Sequence, residues 1–265
     1  MKHLVGQVTL AIVLALVAAT AWADWGMNMT QGVTEVSRRV YDLHMLILII
    51  CALVGVGVFG ALMYSLIRHR RSIHPEPAKF HESTTVEVIW TLVPFGILVG
   101  MAIPATQTLV AMDDTSRAAV TVKVTGYQWK WHYDYLDENV AFFSDLATPR
   151  SQIVNLEKKN ENYLLEVTNN LVVPVGQKVR LLITSNDVIH AWWLPAVAVK
   201  KDAIPGFINE AWFQIDEPGV YRGQCAELCG RDHGFMPIVV EALEAEAYER
   251  WLMERSGAQR MVNRQ

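Results

Sequence analysis

Apolar residues fall into three dense blocks before Asp113 and then give way to shorter, alternating runs. Residues 45–67 form 23 consecutive positions without a charge, and residues 88–112 form 25. At about 1.5 Å of rise per residue, either block as a helix crosses the roughly 30 Å of hydrocarbon in a bilayer. Gly55, Gly57 and Gly60 on the first would let another helix approach closely. Pro94 and Pro104 on the second are tolerated in lipid where neighbouring groups satisfy the carbonyls they free. Residues 4–19 form the remaining apolar run, behind Lys2 and His3 and ahead of Ala21-Trp22-Ala23, the pattern of a secretory signal cleaved after residue 23.

Beyond Asp113 the period changes. Runs 120–125 and 178–184 alternate, and 163–168, 210–215, 220–224 and 235–240 read as further strands. Asn169-Asn170, Ser185-Asn186 and Glu217-Pro218-Gly219 supply turn chemistry between them. Many short strands at this spacing over residues 118–242 predict a β-sandwich or Greek-key barrel. Residues 242–256, with Tyr248, Trp251 and Leu252 at helical spacing, predict a terminal helix lying on it. The predicted organisation is a signal over 1–23, an N-terminal segment and transmembrane hairpin over 24–112, an exported domain over 113–242, and a C-terminal helix and tail over 243–265.

Charge orients the hairpin. Arg68, Arg70, Arg71 and Lys79 lie between the spans, whereas in the segment between the signal and the first span only Arg38 and Arg39 are basic. The positive-inside rule places the connecting loop in the cytoplasm and both mature ends outside. In a bacterial cell that is a two-span inner-membrane protein with its C-terminal domain in the periplasm. The net charge of −4 gives no basic face for nucleic acid. From Asp113 onward, 16 Lys and Arg stand against 21 Asp and Glu, about −5, which would attract a basic partner or simply keep the domain soluble.

Three cysteines are present, an odd count for an exported protein. Cys51 lies in an apolar block. The other two open the most informative stretch of the chain, Cys225-Ala-Glu-Leu-Cys229-Gly-Arg-Asp-His233-Gly-Phe-Met236-Pro237, and His190 offers a second imidazole upstream. Soft sulfur with imidazole suits copper. One Cys, two His and a Met would describe a mononuclear site. Two thiolates can instead bridge two coppers, with an imidazole completing each, Met236 on one and the Glu227 carbonyl on the other. A Cys225–Cys229 disulfide is the rival in an oxidising compartment, and zinc fits less well because its structural sites use four Cys or His ligands.

These residues resemble the cytochrome c oxidase subunit II family, with its binuclear copper A centre. Further matches are Gly126-Tyr127-Gln128-Trp129-Lys130-Trp131-His132-Tyr133, Val86-Glu87-Val88-Ile89-Trp90-Thr91 and Lys200-Lys201-Asp202-Ala203-Ile204-Pro205-Gly206. The resemblance implies a two-helix transmembrane hairpin followed by an all-β, cupredoxin-like Greek-key sandwich. It implies that His190, Cys225, Cys229, His233 and Met236 bind copper through side chains and Glu227 through its carbonyl. The Glu227 carboxylate would also face a magnesium shared with subunit I. Electrons from cytochrome c would enter at Trp129 and pass through copper to haem in subunit I, where oxygen is reduced to water and protons are pumped. Glu87 matches the acid at the mouth of a proton pathway, and Asp202 would help to organise the subunit I interface. Asp134, Asp137, Glu138 and Asp187 fall where the family displays acids to a Lys-rich cytochrome c. The implied partners are subunits I and III, cytochrome c and membrane lipid.

The resemblance has departures. Family members often carry His where Tyr127 stands and Tyr or Phe where Lys130 stands, so a positive charge lies beside Trp129. A quinol oxidase subunit of the same superfamily would lack the copper ligands, which are present here. A membrane-anchored copper chaperone would need an exchangeable mononuclear site. A nitrous oxide reductase shares the copper centre but has no two-helix anchor.

Overall fold

A computed structural model describes residues 28–79 and 81–262, without the side chains of 258–262. The signal expected over 1–23 lies outside the described residues.

Helix α1 (Glu35–Arg68) is 34 residues long and α2 (Thr84–Asp113) is 30, about 50 and 45 Å at helical rise. Thr34 starts α1 with a capping box: its hydroxyl accepts from Ser37 N, and Ser37 Oγ accepts from Thr34 N, both at 2.9 Å. Pro94 and Pro104 lie inside α2 and remove two main-chain donors from it. The apolar stretches of both helices are exposed: Leu53, Val56 and Phe59 on α1, and Trp90, Leu92 and Phe95 on α2, all face outward. So much outward apolar surface is stable in lipid and not in water. The chain is a membrane protein with a two-span hairpin.

The remainder is a sandwich of two five-stranded sheets. The first has the order β3 (Val140–Ser144), β2 (Lys130–Tyr135), β1 (Val120–Tyr127), β5 (Val179–Ser185) and β8 (Asn209–Phe213). The second has the order β4 (Leu171–Pro174), β10 (Pro237–Leu243), β9 (Gly219–Cys225), β6 (His190–Leu194) and β7 (Val199–Ala203). The pairs β1/β5 and β4/β10 are parallel and the other strand pairs antiparallel. This is the cupredoxin-like Greek-key sandwich. Val122 and Val124 on β1, with Trp131, Tyr133 and Tyr135 on β2, alternate inward and meet Trp192, Leu194, Ile238 and Val240 from the opposite sheet. A short helix α3 (Arg150–Ile153) lies in the connection after β3. The terminal helix α4 (Ala245–Val262) covers one end of the sandwich, with Trp251 and Tyr135 ring centroids 5.4 Å apart.

The strand expected over 163–168 does not form. Leu164 takes a left-handed backbone (φ 61°), which breaks the extended run, and only Val167 bridges to Leu146. Strands β2, β3, β4, β6 and β7 were not among the sequence expectations. In β4 every residue is buried, and in β6 all but Trp193, so neither carries the period-two signal of a half-buried strand.

The hairpin is tied to the sandwich at the start of α1 and the end of α2. Val33 N donates to Ala196 O at 2.8 Å, Asp216 N donates to Val33 O at 3.1 Å, and Arg38 pairs with Asp216 at 2.6 Å. Trp212 Nε1 donates to Ala111 O at 3.2 Å.

Gly223 on β9 lies close against β6, since a Cβ there would sit 2.0 Å from the main-chain oxygen of Trp193. Gly223→Ala is therefore expected to cost about 3 kcal/mol, because backbone on both sides must shift. Gly257→Ala, in α4 with open space around it, should be neutral or stabilising by up to about 1 kcal/mol. Thermal unfolding of the detergent-solubilised chain, followed by tryptophan fluorescence, checks both.

Candidate metal centre

Two adjacent strands of the second sheet deliver the first ligating side chains. β9 ends on Cys225 and β6 begins on His190, in the antiparallel pairing that sets Trp192 opposite Cys225. The chain then loops through Glu227 and Cys229 to a 3₁₀ turn at His233–Phe235 and returns as β10. Main-chain bonds clamp both ends of this loop: Cys225 N donates to Met236 O and Ala226 N to Ala191 O, each at 3.0 Å.

Three ligand atoms of His190, Cys225 and Cys229 lie within 4.8 Å of one another, and all three residues are buried. The Sγ atoms of Cys225 and Cys229 are 3.8 Å apart and not bonded. A disulfide would need about 2.05 Å. At a metal–sulfur length near 2.3 Å, two sulfurs at that separation subtend about 110° at a shared metal, close to tetrahedral. His190 Nδ1 lies 3.9 Å from Cys225 Sγ, and His233 Nδ1 lies 3.5 Å from Cys229 Sγ. The Glu227 carbonyl is 3.4 Å from Cys225 Sγ. Met236 is buried and joins the loop through its carbonyl. The donor set therefore has an imidazole beside each thiol and a carbonyl within reach, which suits a soft, sulfur-seeking metal such as copper.

Hydrogen bonds behind the ligands orient them. Asp187 Oδ1 lies 2.9 Å from His190 Nε2. An ionised carboxylate can only accept, so Nε2 carries a proton and Nδ1 is the nitrogen turned towards Cys225. The other Asp187 oxygen accepts from Gln128 N at 2.7 Å. Gln128 Nε2 and Trp129 Nε1 both donate to Cys229 O, at 2.8 and 3.2 Å. Gly126 leaves room for the imidazole, since a Cβ there would lie 2.8 Å from His190 Cδ2. Trp131, fully buried, meets the same ring edge-on at 5.9 Å.

Electrostatics separate the two thiols. Burial opposes ionisation of Cys225, but hydrogen bonds from His190 and at the Ala191 and Glu227 backbone outweigh it and bring the thiol down to about 7. Burial, and then the neighbouring Cys225 thiolate, push Cys229 up to about 12. Burial would lower His190, yet its contacts with Cys225 and Asp187 raise it above its ordinary value. Burial would raise Asp187, and its bonds to His190, Val188 and Gln128 lower it instead.

With that geometry in view, the comparisons are decisive. Residues 120–243 match "Cytochrome C oxidase subunit II, periplasmic domain", and residues 22–108 match "Cytochrome C oxidase subunit II, transmembrane domain". The chain belongs to the cytochrome c oxidase subunit II family. The probable cytochrome c oxidase subunit 2 of Rickettsia bellii is 34% identical over 256 residues, covering 97% of this chain and 94% of that one. Cytochrome c oxidase subunit 2 of Cereibacter sphaeroides is 34% identical over 245 residues, covering 88% and 81%. The crystallised periplasmic domain of subunit II of cytochrome oxidase from Bradyrhizobium japonicum is 41% identical, covers 54% of this chain and 98% of that one, and superposes with a TM-score of 0.49.

The other family positions are spread over the molecule. Trp129 is partly buried against the metal loop. Asp202 is exposed on β7, whose Ala203 pairs with His190. Glu87 is exposed in the first turn of α2. Asp134 lies on β2, and Asp137 and Glu138 lie in the turn at the end of that strand remote from Trp129. Asp187, expected among the docking acids, is exposed, and its two oxygens also meet His190 Nε2 and accept from Gln128 N. Gln128 and Gly126 were missed as site residues. The Asp187-x-x-His190 spacing was the available signal for the orienting carboxylate.

Asp187→Asn removes the acceptor that fixes the imidazole. It is expected to weaken metal retention by about 10- to 100-fold without unfolding the sandwich. Competition against a chelator, with circular dichroism as the folding control, checks it.

Proposed function

We propose that this chain is the electron-receiving subunit of a haem–copper cytochrome c oxidase. It takes electrons from cytochrome c and relays them to haem in subunit I, where oxygen is reduced to water and protons are pumped. The observation that carries this reading is the pair of buried, unbonded sulfurs 3.8 Å apart, each with its own imidazole. Cys225 and Cys229 would bridge two coppers, with His190 completing one and His233 the other. Met236 and the Glu227 carbonyl would supply the remaining ligands. When bound, a thiolate-bridged copper pair supplies one-electron transfer with the charge change spread over both metals.

The chain's own residues account for the rest. The strand-clamped loop keeps the ligands in place whichever charge the centre holds, so little has to reorganise. Burial of Cys225, Cys229 and His190 excludes water. Trp129 provides a route of one hydrogen bond from its indole to the carbonyl of a ligand residue. On the same reading the exposed Glu227 carboxylate reaches a magnesium shared with subunit I, and Glu87 stands at the mouth of a proton pathway. Asp134, Asp137, Glu138 and Asp187 contribute acidic charge to cytochrome c docking. The hairpin sits in the inner membrane against lipid and subunits I and III, with the sandwich in the periplasm.

Purification in mild detergent should yield a many-span haem protein with this chain, two coppers held by this chain in addition to copper at the haem, and a mixed-valence copper signal. One copper with a single-thiolate blue spectrum would reject the binuclear reading. Trp129→Phe should slow reduction by cytochrome c about 100-fold, as misplacement of a reacting pair does, with copper content unchanged. Stopped-flow absorbance measures it.

A further inference from the structure

A groove of about 340 Å³ runs between α1 and α2 at the ends nearest the sandwich. It has a charged rim of Arg39 and Asp42 and an apolar floor of Leu43, Leu46 and Pro104. Its height follows from the two helices. Asp42 precedes the charge-free run of α1 by three residues, about 4.5 Å at helical rise. Gln107, which lines the same groove, stands about 29 Å along α2 from Val88, close to the far boundary of roughly 30 Å of hydrocarbon. The rim is thus at headgroup level, and the floor is at the level where acyl chains begin.

The polar groups of this rim are left over from the protein's own pairings. Arg38, one turn before Asp42, is held by Asp216 at 2.6 Å, and Arg39 pairs back to Glu35. Asp42 has no ion-pair partner among the described residues, and the Gln107 amide has no hydrogen bond among them. Thr108, also in the groove, is already satisfied, since its hydroxyl donates to Pro104 O at 2.9 Å. A guanidinium offers five donors, so Arg39 keeps some free beyond its contact with Glu35. A carboxylate and an amide at the edge of hydrocarbon are costly until something pairs with them.

We propose that this groove seats one phosphatidylethanolamine from the leaflet on the sandwich side, with its ammonium on Asp42 and its phosphate on Arg39. The rim carries one charge of each sign, which matches a zwitterion, whereas an anionic headgroup would leave the Asp42 carboxylate without a cation. The three N–H donors of a primary ammonium can serve both that carboxylate and the Gln107 oxygen, and a trimethylammonium has none to give. The planar guanidinium suits phosphate oxygens taken two at a time. Leu43, Leu46 and Pro104 then line the glycerol end of the acyl chains. A lipid held in this way bridges the two helix ends that carry the sandwich, beside the tie from Arg38 to Asp216.

The test uses the intact oxidase in nanodiscs of phosphatidylglycerol doped with a photoreactive phosphatidylethanolamine or phosphatidylcholine. The two probes have identical acyl chains, each with a diazirine part-way down, and labelled sites are mapped by peptide mass spectrometry. The turn of α1 that bears Leu43 and Leu46 is expected to take up the ethanolamine lipid about tenfold more than the choline lipid, the scale of one charge-assisted hydrogen bond. D42N should bring the ethanolamine lipid down to the choline level, and R39Q should lower both about equally. Labelling at Leu53 and Val56, which face outward at mid-span, should not distinguish the lipids in any of these proteins and controls for insertion. Equal labelling of the groove by the two lipids in the unaltered oxidase overturns the proposal, and so does a preference that survives D42N. Labelling at Leu53 with none at the groove also overturns it, because another subunit then covers the site. The headgroup comparison needs no variant, so it decides even where D42N fails to assemble.

Discussion

The pairing of β6 with β9 is the constraint on which the metal centre depends. It sets Trp192 opposite Cys225, brings His190 beside the end of β9, and lets Ala226 N reach Ala191 O. The bond from Cys225 N to Met236 O then returns the loop to β10, so a segment with three glycine or proline interruptions still has fixed ends. Ligand positions held by main-chain bonds resist distortion better than positions held by side chains alone, because no single rotamer can release them. The close approach of Gly223 to the Trp193 carbonyl belongs to the same constraint: the two strands must lie this near for the sulfur and the imidazole to meet.

Much of this was legible in the sequence, and for identifiable reasons. The charge-free runs at 45–67 and 88–112 announce helices because lipid demands an uninterrupted apolar surface, and the helices extend past them to Glu35 and Arg68 and to Thr84 and Asp113. The sulfur and imidazole spacing of residues 225–236 carries its chemistry locally, so the loop needed no fold to be read. The strands that escaped notice are those without alternation. β4 and β6 are buried on both faces and look in sequence like any apolar patch. The run 163–168 has strand composition, but Leu164 adopts a left-handed backbone that no side-chain pattern announces.

Among side chains, the residues hardest to read were those that act through another residue. Asp187 has the composition of a surface acid and the behaviour of a histidine holder, because folding brings Ser185–Val188 round beneath the imidazole. Gln128 and Trp129 converge on one carbonyl, that of Cys229, from the turn between β1 and β2 of the opposite sheet. Such convergence between distant segments is a tertiary fact, and only the packed sandwich contains it.

The fastening of the hairpin to the sandwich has a mechanical meaning. Val33 is bonded to Ala196 and Asp216, Arg38 grips Asp216, and Trp212 holds Ala111 at the end of the other helix. Two struts attached at separate points oppose tilting as well as sliding, whereas a single flexible tether opposes neither. The height of the thiol pair above the lipid surface is thereby set by helix ends rather than by a linker. Tunnelling rates fall exponentially with separation, so for a relay of the kind proposed, a rigid footing of this sort keeps the onward gap constant while the outer face stays free to meet a diffusing protein.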